Sequence, residues 1–167
     1  DAEGKHKKQS GGHGQYGHVK IHFAPGDNGL VFSESTFGGS VPKNFHPAVE
    51  KGLLECMQKG VLAGFPMVGL CADLYDGSFH DVDSSEMAFK MAAALAYKEL
   101  KNANPAILEP VGSLKVYVPD EYMGDIIGDI SKRRGRILGT GQAEKAGVSI
   151  VEAEVPQSEM ANYTISL

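Results

Sequence analysis

The segment from Asp83 to Lys101 restricts the possible folds of this chain more than any other part of the sequence. Its apolar residues recur at helical spacing and cover a broad surface, whereas its charged residues form only a narrow stripe. A helix with this pattern is buried on most of its sides, so strands or further helices must pack against it. Asp83 is the predicted N-cap of this helix, and Glu86 is placed to complete a capping box.

Alternation of apolar and polar residues predicts the strands that would cover this helix. The predicted strands span residues 18–23, 30–36, 67–75, 114–118, 136–139 and 148–155. The other predicted helices span residues 44–58 and 119–134, and a further one begins near Pro156. A turn at 25–29 favours pairing of the first two strands, and the glycine-rich residues 4–17 are predicted to be a loop.

The order of these elements predicts an α+β protein of two domains, residues 1–106 and residues 107–167. The boundary follows residues 102–105, whose composition ends the long buried helix. The second domain has the order βαββα, whereas a split-βαβ sandwich requires βαββαβ. We therefore expect the second domain to lack its last strand.

The charge balance of the chain excludes one class of function. With a net charge of −5 over 167 residues, the protein is not a uniformly basic nucleic-acid binder, although local basic patches can still serve that purpose. The densest patch is KRRGR at 132–136, in which Gly135 is the predicted residue after the helix C-cap. Two interpretations stay open: these cations complement the helix dipole on a solvated surface, or they contact phosphates.

The sequence contains no motif that predicts catalysis or a bound metal. Residues 12–17, GHGQYG, have the spacing of a dinucleotide-binding loop. Such a loop requires a strand before it and a helix after it, and neither is predicted here. The sequence also contains no P-loop motif. A small-molecule enzyme that uses this loop and His80 is therefore disfavoured. His18 and His22 would stand roughly 13 Å apart on one strand, too far to share a metal ion. No apolar run is long enough to cross a membrane.

Several long motifs resemble bacterial elongation factor G, in the order that family has them. Residues 9–18, QSGGHGQYGH, resemble the first tip loop of its domain IV, and residues 77–90 resemble the second tip loop with the following helix. Further motifs that resemble domain IV or domain V lie at residues 39–43, 121–129, 133–135 and 155–160. The resemblance implies a ribosomal protein S5 domain 2-like domain, followed by a ferredoxin-like βαββα(β) sandwich that lacks its last strand.

The resemblance also implies a function for the protein to which this chain belongs. Elongation factor G is a translational GTPase that promotes the movement of tRNA and mRNA through the ribosome. Its GTPase domain, with GTP and Mg²⁺, is expected before the region seen here. The present chain is therefore expected to carry no enzyme activity, cofactor or metal. The parent protein is expected to be a cytoplasmic monomer that binds the ribosome and no membrane.

The resemblance assigns nucleic-acid contacts to two sets of residues, neither of them catalytic. The domain IV set would contact tRNA and mRNA in the decoding region and consists of Ser10, Gly11, Gly12, His13, Gly14, Gln15, Tyr16, His80 and Asp81. The domain V set would contact rRNA and consists of Lys132, Arg133 and Arg134.

His13 departs from the family pattern, which usually has arginine at this position. An imidazole here replaces a permanently charged guanidinium, which weakens the attraction of the loop for phosphate. This departure keeps an alternative open, namely a paralogue of elongation factor G that acts in ribosome recycling or ribosome protection. Gln15 and His80 favour translocation instead.

Overall fold

The computed structural model describes residues 1–9, 11–161 and 163; Ser10, Asn162 and residues 164–167 lie outside this description. The chain divides into two compact units, Asp1–Ile107 and Leu108–Leu167, and each contains one β-sheet. Helices accompany both sheets, which confirms the predicted α+β class. In the described part of the chain, no helix has the length and apolar character needed to cross a bilayer.

A four-stranded sheet forms the framework of the first unit. Its strands are β1 (Ala2–Lys8), β2 (Gln15–Pro25), β3 (Gly29–Glu34) and β4 (Gly69–Ser78). The strand order is β1-β2-β4-β3, with β2 antiparallel to both of its neighbours and β3 parallel to β4. Because β1 and β4 both run antiparallel to β2, the loops that follow these two strands lie at the same end of the sheet.

Two helices, α1 (His46–Met57) and α2 (Glu86–Lys98), complete the core of the first unit. The alternating strand residues Val19, Ile21 and Leu74 are fully buried in the same core. Each large apolar side chain buried in this way contributes roughly 1.5–3 kcal/mol relative to an exposed one. The helix predicted from its broad apolar surface is therefore α2. It is less buried than predicted, because Met87 and Met91 of that surface are exposed.

Two strand glycines let α2 lie directly on the backbone of the sheet. A Cβ on Gly4 would stand 1.9 Å from the carbonyl oxygen of Ala92, and a Cβ on Gly17 would stand 2.5 Å from that of Ala88. Ala88 and Ala92 are about one helical turn apart, so glycines on two neighbouring strands meet small residues on one helix face. No larger side chain fits at either strand position.

Strand β1 corrects the prediction that residues 4–17 form a loop, because only residues 9–14 connect β1 to β2. Ala2, Gly4 and His6 occupy the inner face of β1, so the apolar alternation that marks a half-buried strand is absent there. Pairing with β2 along its whole length makes this segment a strand.

The prediction that the strand at 30–36 pairs with the strand at 18–23 is also wrong. The former, β3, pairs in parallel with β4, which lies between β2 and β3. Leu70, Ala72 and Leu74 make the inner face of β4 almost completely buried. A strand with so apolar an inner face is buried most completely when it has a neighbouring strand on both sides. β4 therefore takes an interior position and β3 the edge of the sheet.

A three-stranded antiparallel sheet of order β5-β7-β6 forms the second unit. The elements of this unit are β5 (Val111–Pro119), α3 (Met123–Lys132), β6 (Arg136–Gln142) and β7 (Val148–Pro156). Ile130 of α3 and Val155 of β7 are fully buried in its core. The helix predicted near Pro156 starts as a 3-10 turn at Gln157–Glu159, and most of the chain after Ala161 lies outside the described residues.

The start of α2 corrects the prediction that Asp83 is its N-cap. The N-cap is Ser85, whose hydroxyl accepts a hydrogen bond of 3.2 Å from the backbone N–H of Ala88. Serine satisfies an N-terminal donor of a helix as well as aspartate does. Asp83 precedes the helix, and its carboxylate accepts a hydrogen bond from the N–H of Gly14 instead.

The end of α3 corrects the prediction that Gly135 is the residue after the C-cap. The left-handed residue there is Arg134, with a φ of 60°. The N–H of Gly135 donates to Ile130 O at 2.9 Å and the N–H of Arg134 donates to Ser131 O at 3.2 Å, the two bonds of a Schellman motif. Gly135 is needed for another reason, because a Cβ there would stand 2.5 Å from Cγ2 of Ile130.

Candidate nucleic-acid interface

Two loops lie side by side at one end of the first unit's sheet. The first tip loop, residues 9–14, joins β1 to β2, and the second tip loop, residues 79–84, joins β4 to the N-cap of α2. An isolated parallel bridge joins Tyr16 to Ser84. The structure therefore brings together the described members of the predicted domain IV set; Ser10 lies outside the described residues.

Asp83 links the second tip loop to the first through its side chain and its main chain. Its Oδ1 accepts a hydrogen bond of 3.0 Å from the N–H of Gly14, and its carbonyl oxygen accepts one of 2.8 Å from the N–H of Tyr16. A Cβ on Gly14 would stand 2.9 Å from Oδ2 of Asp83, so a larger residue there would displace this carboxylate. The relative placement of the two loops depends on this residue.

Ser84 makes a second link between the same loops. Its hydroxyl donates to the carbonyl oxygen of Tyr16 at 2.9 Å and accepts from the N–H of His80 at 2.9 Å. The N–H of Ser84 donates to the carbonyl oxygen of His80 at 3.0 Å, which closes the second loop on itself. The backbone of His80 is thus held against the start of β2.

A network of side chains supports the loops from the sheet. The Ser78 hydroxyl lies 2.8 Å from the Tyr16 hydroxyl and 2.7 Å from Nδ1 of His18. The other ring nitrogen of His18 lies 2.8 Å from a carboxylate oxygen of Glu3. Lys5 Nζ stands 5.8 Å from the centre of the Tyr16 ring. Tyr16 is half-buried at the base of the first loop, where this network fixes its ring.

Both polar and apolar side chains reach solvent at this end; Phe79 and Val82 of the second tip loop are 42% and 65% exposed. His13, Gln15, His80 and Asp81 are exposed, and the His80 side chain retains 58% of its accessible surface. Between the loops lies a shallow cavity of about 130 Å³, lined by Lys7, Gln9, Gln15, Tyr16, His80 and Asp83. These groups donate and accept hydrogen bonds, and none is arranged as an activated nucleophile.

Sequence reasoning missed three residues of this cavity, namely Lys7, Gln9 and Asp83. The first two belong to the segment predicted to be all loop, and Asp83 was assigned to the helix cap. Ser85 is the signal that could have identified Asp83, because a serine two residues later can cap the helix and leaves the aspartate free for a long-range contact.

Arg134 of the basic cluster is held by acidic residues of its own unit. Its guanidinium donates to both carboxylate oxygens of Glu109, at 2.8 and 2.9 Å, and its Nε donates to Glu159 at 3.0 Å. The hydrogen bonds from Arg134 are the main reason why the pKa of Glu109 lies below its usual value. This pairing is fully present above the usual glutamate pKa and is lost as the pH falls through the lowered one.

The other two arginines of the cluster are also paired. Arg133 donates to Asp129 at 2.8 Å, and Arg136 donates to Glu154 at 3.0 Å. No ion pair found among the described residues involves Lys132, which is exposed. The structure gathers the predicted domain V set at one helix end, and its contact with phosphate stays a prediction.

The fold and the site define a pair of α+β domains with hydrogen-bonding tip loops and, among the described residues, no group of side chains that could hold a metal ion. The family model of elongation factor G, domain IV, matches residues 1–104, and that of the elongation factor G C-terminus matches residues 106–167. The chain belongs to the elongation factor G family. These matches confirm the resemblance seen in the motifs, and neither covers a GTPase domain.

Individual relatives agree with the family assignment. Elongation factor G of Mycoplasma genitalium is 52% identical over 169 aligned residues, which cover 100% of this chain and 24% of that protein. A crystal structure from Thermus thermophilus superposes with a TM-score of 0.84 at 46% identity, covering 99% of this chain and 25% of that one. The chain therefore spans about a quarter of the length of these relatives.

Proposed function

We propose that this chain is the part of a translational GTPase that promotes movement of tRNA and mRNA on the ribosome. In this proposal the tip loops contact tRNA and mRNA in the decoding region, and the end of α3 contacts rRNA. GTP and Mg²⁺ would bind to a GTPase domain elsewhere in the protein, which would act as a cytoplasmic monomer. This chain would itself catalyse no reaction.

One observation carries the proposal: Gln15, at the start of β2, and His80, in the second tip loop, line a single shallow cavity. Both side chains are exposed, and the two loops are linked through Asp83 and Ser84. Amide and imidazole groups can bond base edges and ribose hydroxyls, which RNA displays in its shallow minor groove. A pre-arranged pair of such groups suits recognition of RNA by shape and hydrogen bonding, without chemistry on the RNA.

Replacement of His80 by alanine in the full-length protein is expected to slow tRNA–mRNA movement about fivefold and to leave GTP hydrolysis unchanged. Loss of one hydrogen bond to RNA costs about 1 kcal/mol, which corresponds to this change in rate. Gln15→Ala is expected to behave in the same way. Rapid kinetics on purified ribosomes would follow movement and phosphate release in parallel.

His22→Ala is the matched control, because His22 stacks on Tyr75 within the sheet, at a ring distance of 3.9 Å, and lies on β2 away from the tip loops. This variant is expected to move tRNA and mRNA at the wild-type rate. Loss of GTP hydrolysis with normal movement per GTP in His80→Ala would contradict the proposed role.

His13 favours a second candidate function, a paralogue that acts in ribosome recycling or ribosome protection. It is exposed in the first tip loop, where the family usually has arginine. Wild-type protein that hydrolyses GTP on ribosomes without moving tRNA and mRNA would support the paralogue. In that case His13→Arg is the first change that should be tested for a gain of movement.

The end of α3 offers a test of phosphate contact within one cluster. Lys132→Ala is expected to reduce the logarithmic salt slope of ribosome binding by about 1, because an exposed cation with no acidic partner among the described residues can release a counterion at a phosphate. Arg134→Ala is expected to lower the stability of the second unit, because it leaves Glu109 without its bidentate partner. An unchanged salt slope for Lys132→Ala would favour the other interpretation, in which the cluster is a solvated surface that complements the helix dipole.

A further inference from the structure

A third loop lies near the two tip loops on the other side of β4. Residues 35–41 leave the end of β3, where the N–H of Ser35 donates to Leu74 O at 2.9 Å. They return beside β4, since a Cβ on Gly77 would stand 2.6 Å from Cγ2 of Val41. Gly77 directly precedes Ser78. The Ser78 hydroxyl is hydrogen-bonded to the ring hydroxyl of Tyr16, at the base of the first tip loop. This third loop therefore sits toward the same end of the sheet as the candidate interface.

A buried histidine ties the two ends of the third loop together. The side chain of His46, at the start of α1, contacts the carboxylate of Glu34 through Nδ1. Its Nε2 donates to the carbonyl oxygen of Val41 at 3.0 Å. His46 is only 5% exposed and Val41 only 1%. The contacts of His46 therefore fix both ends of the segment between Glu34 and Val41.

The centre of the third loop is a tight turn that presents one aromatic ring. Gly38 and Gly39 have φ values of 64° and 72°, and the N–H of Ser40 lies 3.3 Å from the carbonyl oxygen of Phe37. Left-handed conformations at both central positions define a type I′ turn, which glycine adopts without strain. Phe37 occupies the first corner and is 90% exposed, the highest value among the large apolar residues described.

The neighbours of Phe37 distinguish between two kinds of partner. Residues 35–40 otherwise contain only serine, threonine and glycine, so the ring does not belong to a continuous apolar patch within its loop. A protein docking site buries a larger apolar area around its anchor residues. Stacking on an unpaired nucleobase needs a single accessible ring, and small neighbours let the base approach.

The charges near the third loop also favour stacking over phosphate contact. The nearby carboxylates are all bonded within the unit. Glu34 contacts His46, Asp73 accepts from Ser33 and Ser35, and Asp76 accepts from Lys20. The hydrogen bond from Lys20 lowers the pKa of Asp76. Residues 35–41 themselves carry no charged side chain, so the loop has little electrostatic attraction for phosphate.

We propose that the third loop, residues 35–41, is an additional RNA-contacting element in which Phe37 stacks on an unpaired nucleobase when the protein binds the ribosome. The proposal rests on the proposed function, because that function brings this end of the sheet to RNA. Neither the family matches nor the motifs of the tip loops assign this role to Phe37.

Binding of the full-length protein to purified ribosomes, in the presence of a non-hydrolysable GTP analogue, tests the proposal. Phe37→Ala is expected to weaken binding about tenfold, which is typical for the loss of one base stack. Phe37→Trp is expected to retain binding, and Phe37→Leu to lose it, because leucine keeps apolar volume without a π-face. The salt slope of binding is expected to stay the same in all three variants.

Phe65→Ala is the matched control. Phe65 is also a highly exposed phenylalanine, at 64%, but it precedes β4 and so lies at the opposite end of the same sheet. Its replacement is expected to leave binding unchanged. Because Phe37 and Phe65 are both largely outside the core, neither substitution should alter the melting temperature by more than about 2 °C.

Photo-cross-linking identifies the partner. Phe37 is replaced by a diazirine-bearing phenylalanine analogue, the complex is irradiated, and the adduct is digested with nuclease or protease. An adduct with a nucleotide supports the proposal, and an adduct with a ribosomal protein overturns it. Equal binding by Phe37→Ala and Phe65→Ala also overturns it. If wild type binds ribosomes but moves no tRNA, the proposed function fails, while the cross-link still decides the role of Phe37.

Discussion

Substitution of Gly4 by alanine is expected to destabilise the first unit by roughly 3 kcal/mol, because the added methyl group would overlap the backbone of a helix. The added Cβ would stand 1.9 Å from Ala92 O and 2.6 Å from Ala96 N, both of which are helix backbone atoms. A side chain could rotate away, but here the whole helix α2 must shift. Such a shift would open the core around Phe89, which is fully buried.

Urea unfolding of the chain, followed by hydrogen exchange of peptides from each unit, would measure this effect. Gly128→Ala on α3 is the control, because the new Cβ would meet no described atom within 4 Å beyond its chain neighbours and its own helix backbone, and the residue is exposed. Alanine in a helix interior is expected to stabilise the second unit by about 0.5–1 kcal/mol. A Gly4→Ala protein with wild-type exchange in residues 1–107 would show that α2 does not lie as close to β1 as the structure places it.

Substitution of Asp83 by alanine is expected to slow tRNA–mRNA movement roughly 30-fold in the full-length protein, more than loss of either Gln15 or His80 alone. The carboxylate is the acceptor for the N–H of Gly14, and a hydrogen bond to a charged group contributes about 1.5–3 kcal/mol. Without it the first tip loop loses its fixed distance from the second, so both contact side chains become misplaced together. GTP hydrolysis is expected to be unaffected.

Amide exchange in the 167-residue chain separates positioning from a general loss of structure. In Asp83→Ala the N–H of Gly14 should lose protection, whereas the N–H of Tyr16 should keep it, since its acceptor is the main-chain oxygen of Asp83. Asp83→Asn retains an acceptor oxygen and should behave nearly as wild type. Asp27→Ala, at an exposed turn beyond β2, is the neutral control. The positioning role is refuted if Gly14 is unprotected in Asp83→Ala while movement stays at the wild-type rate.

Periodicity predicted the elements whose large apolar residues face a core. The pattern of α2 predicted a well-buried helix, and the alternation of β2 predicted the strand that carries Val19 and Ile21. The motifs of the tip loops led to the family, which the family matches confirm. Each of these inferences used residues that are close together in the sequence, where side-chain spacing reflects burial directly.

Local sequence was enough to establish which segments have an apolar face and which family the chain belongs to. Long-range packing, in contrast, makes β1 a strand, puts β4 between β2 and β3, and assigns Asp83 to the tip loops instead of the α2 cap. The physical reason is distance along the chain: Gly14 and Asp83 are 69 residues apart, so no local pattern records their hydrogen bond. Position 4 requires glycine because a helix packs on its backbone, and that contact exists only in the folded protein.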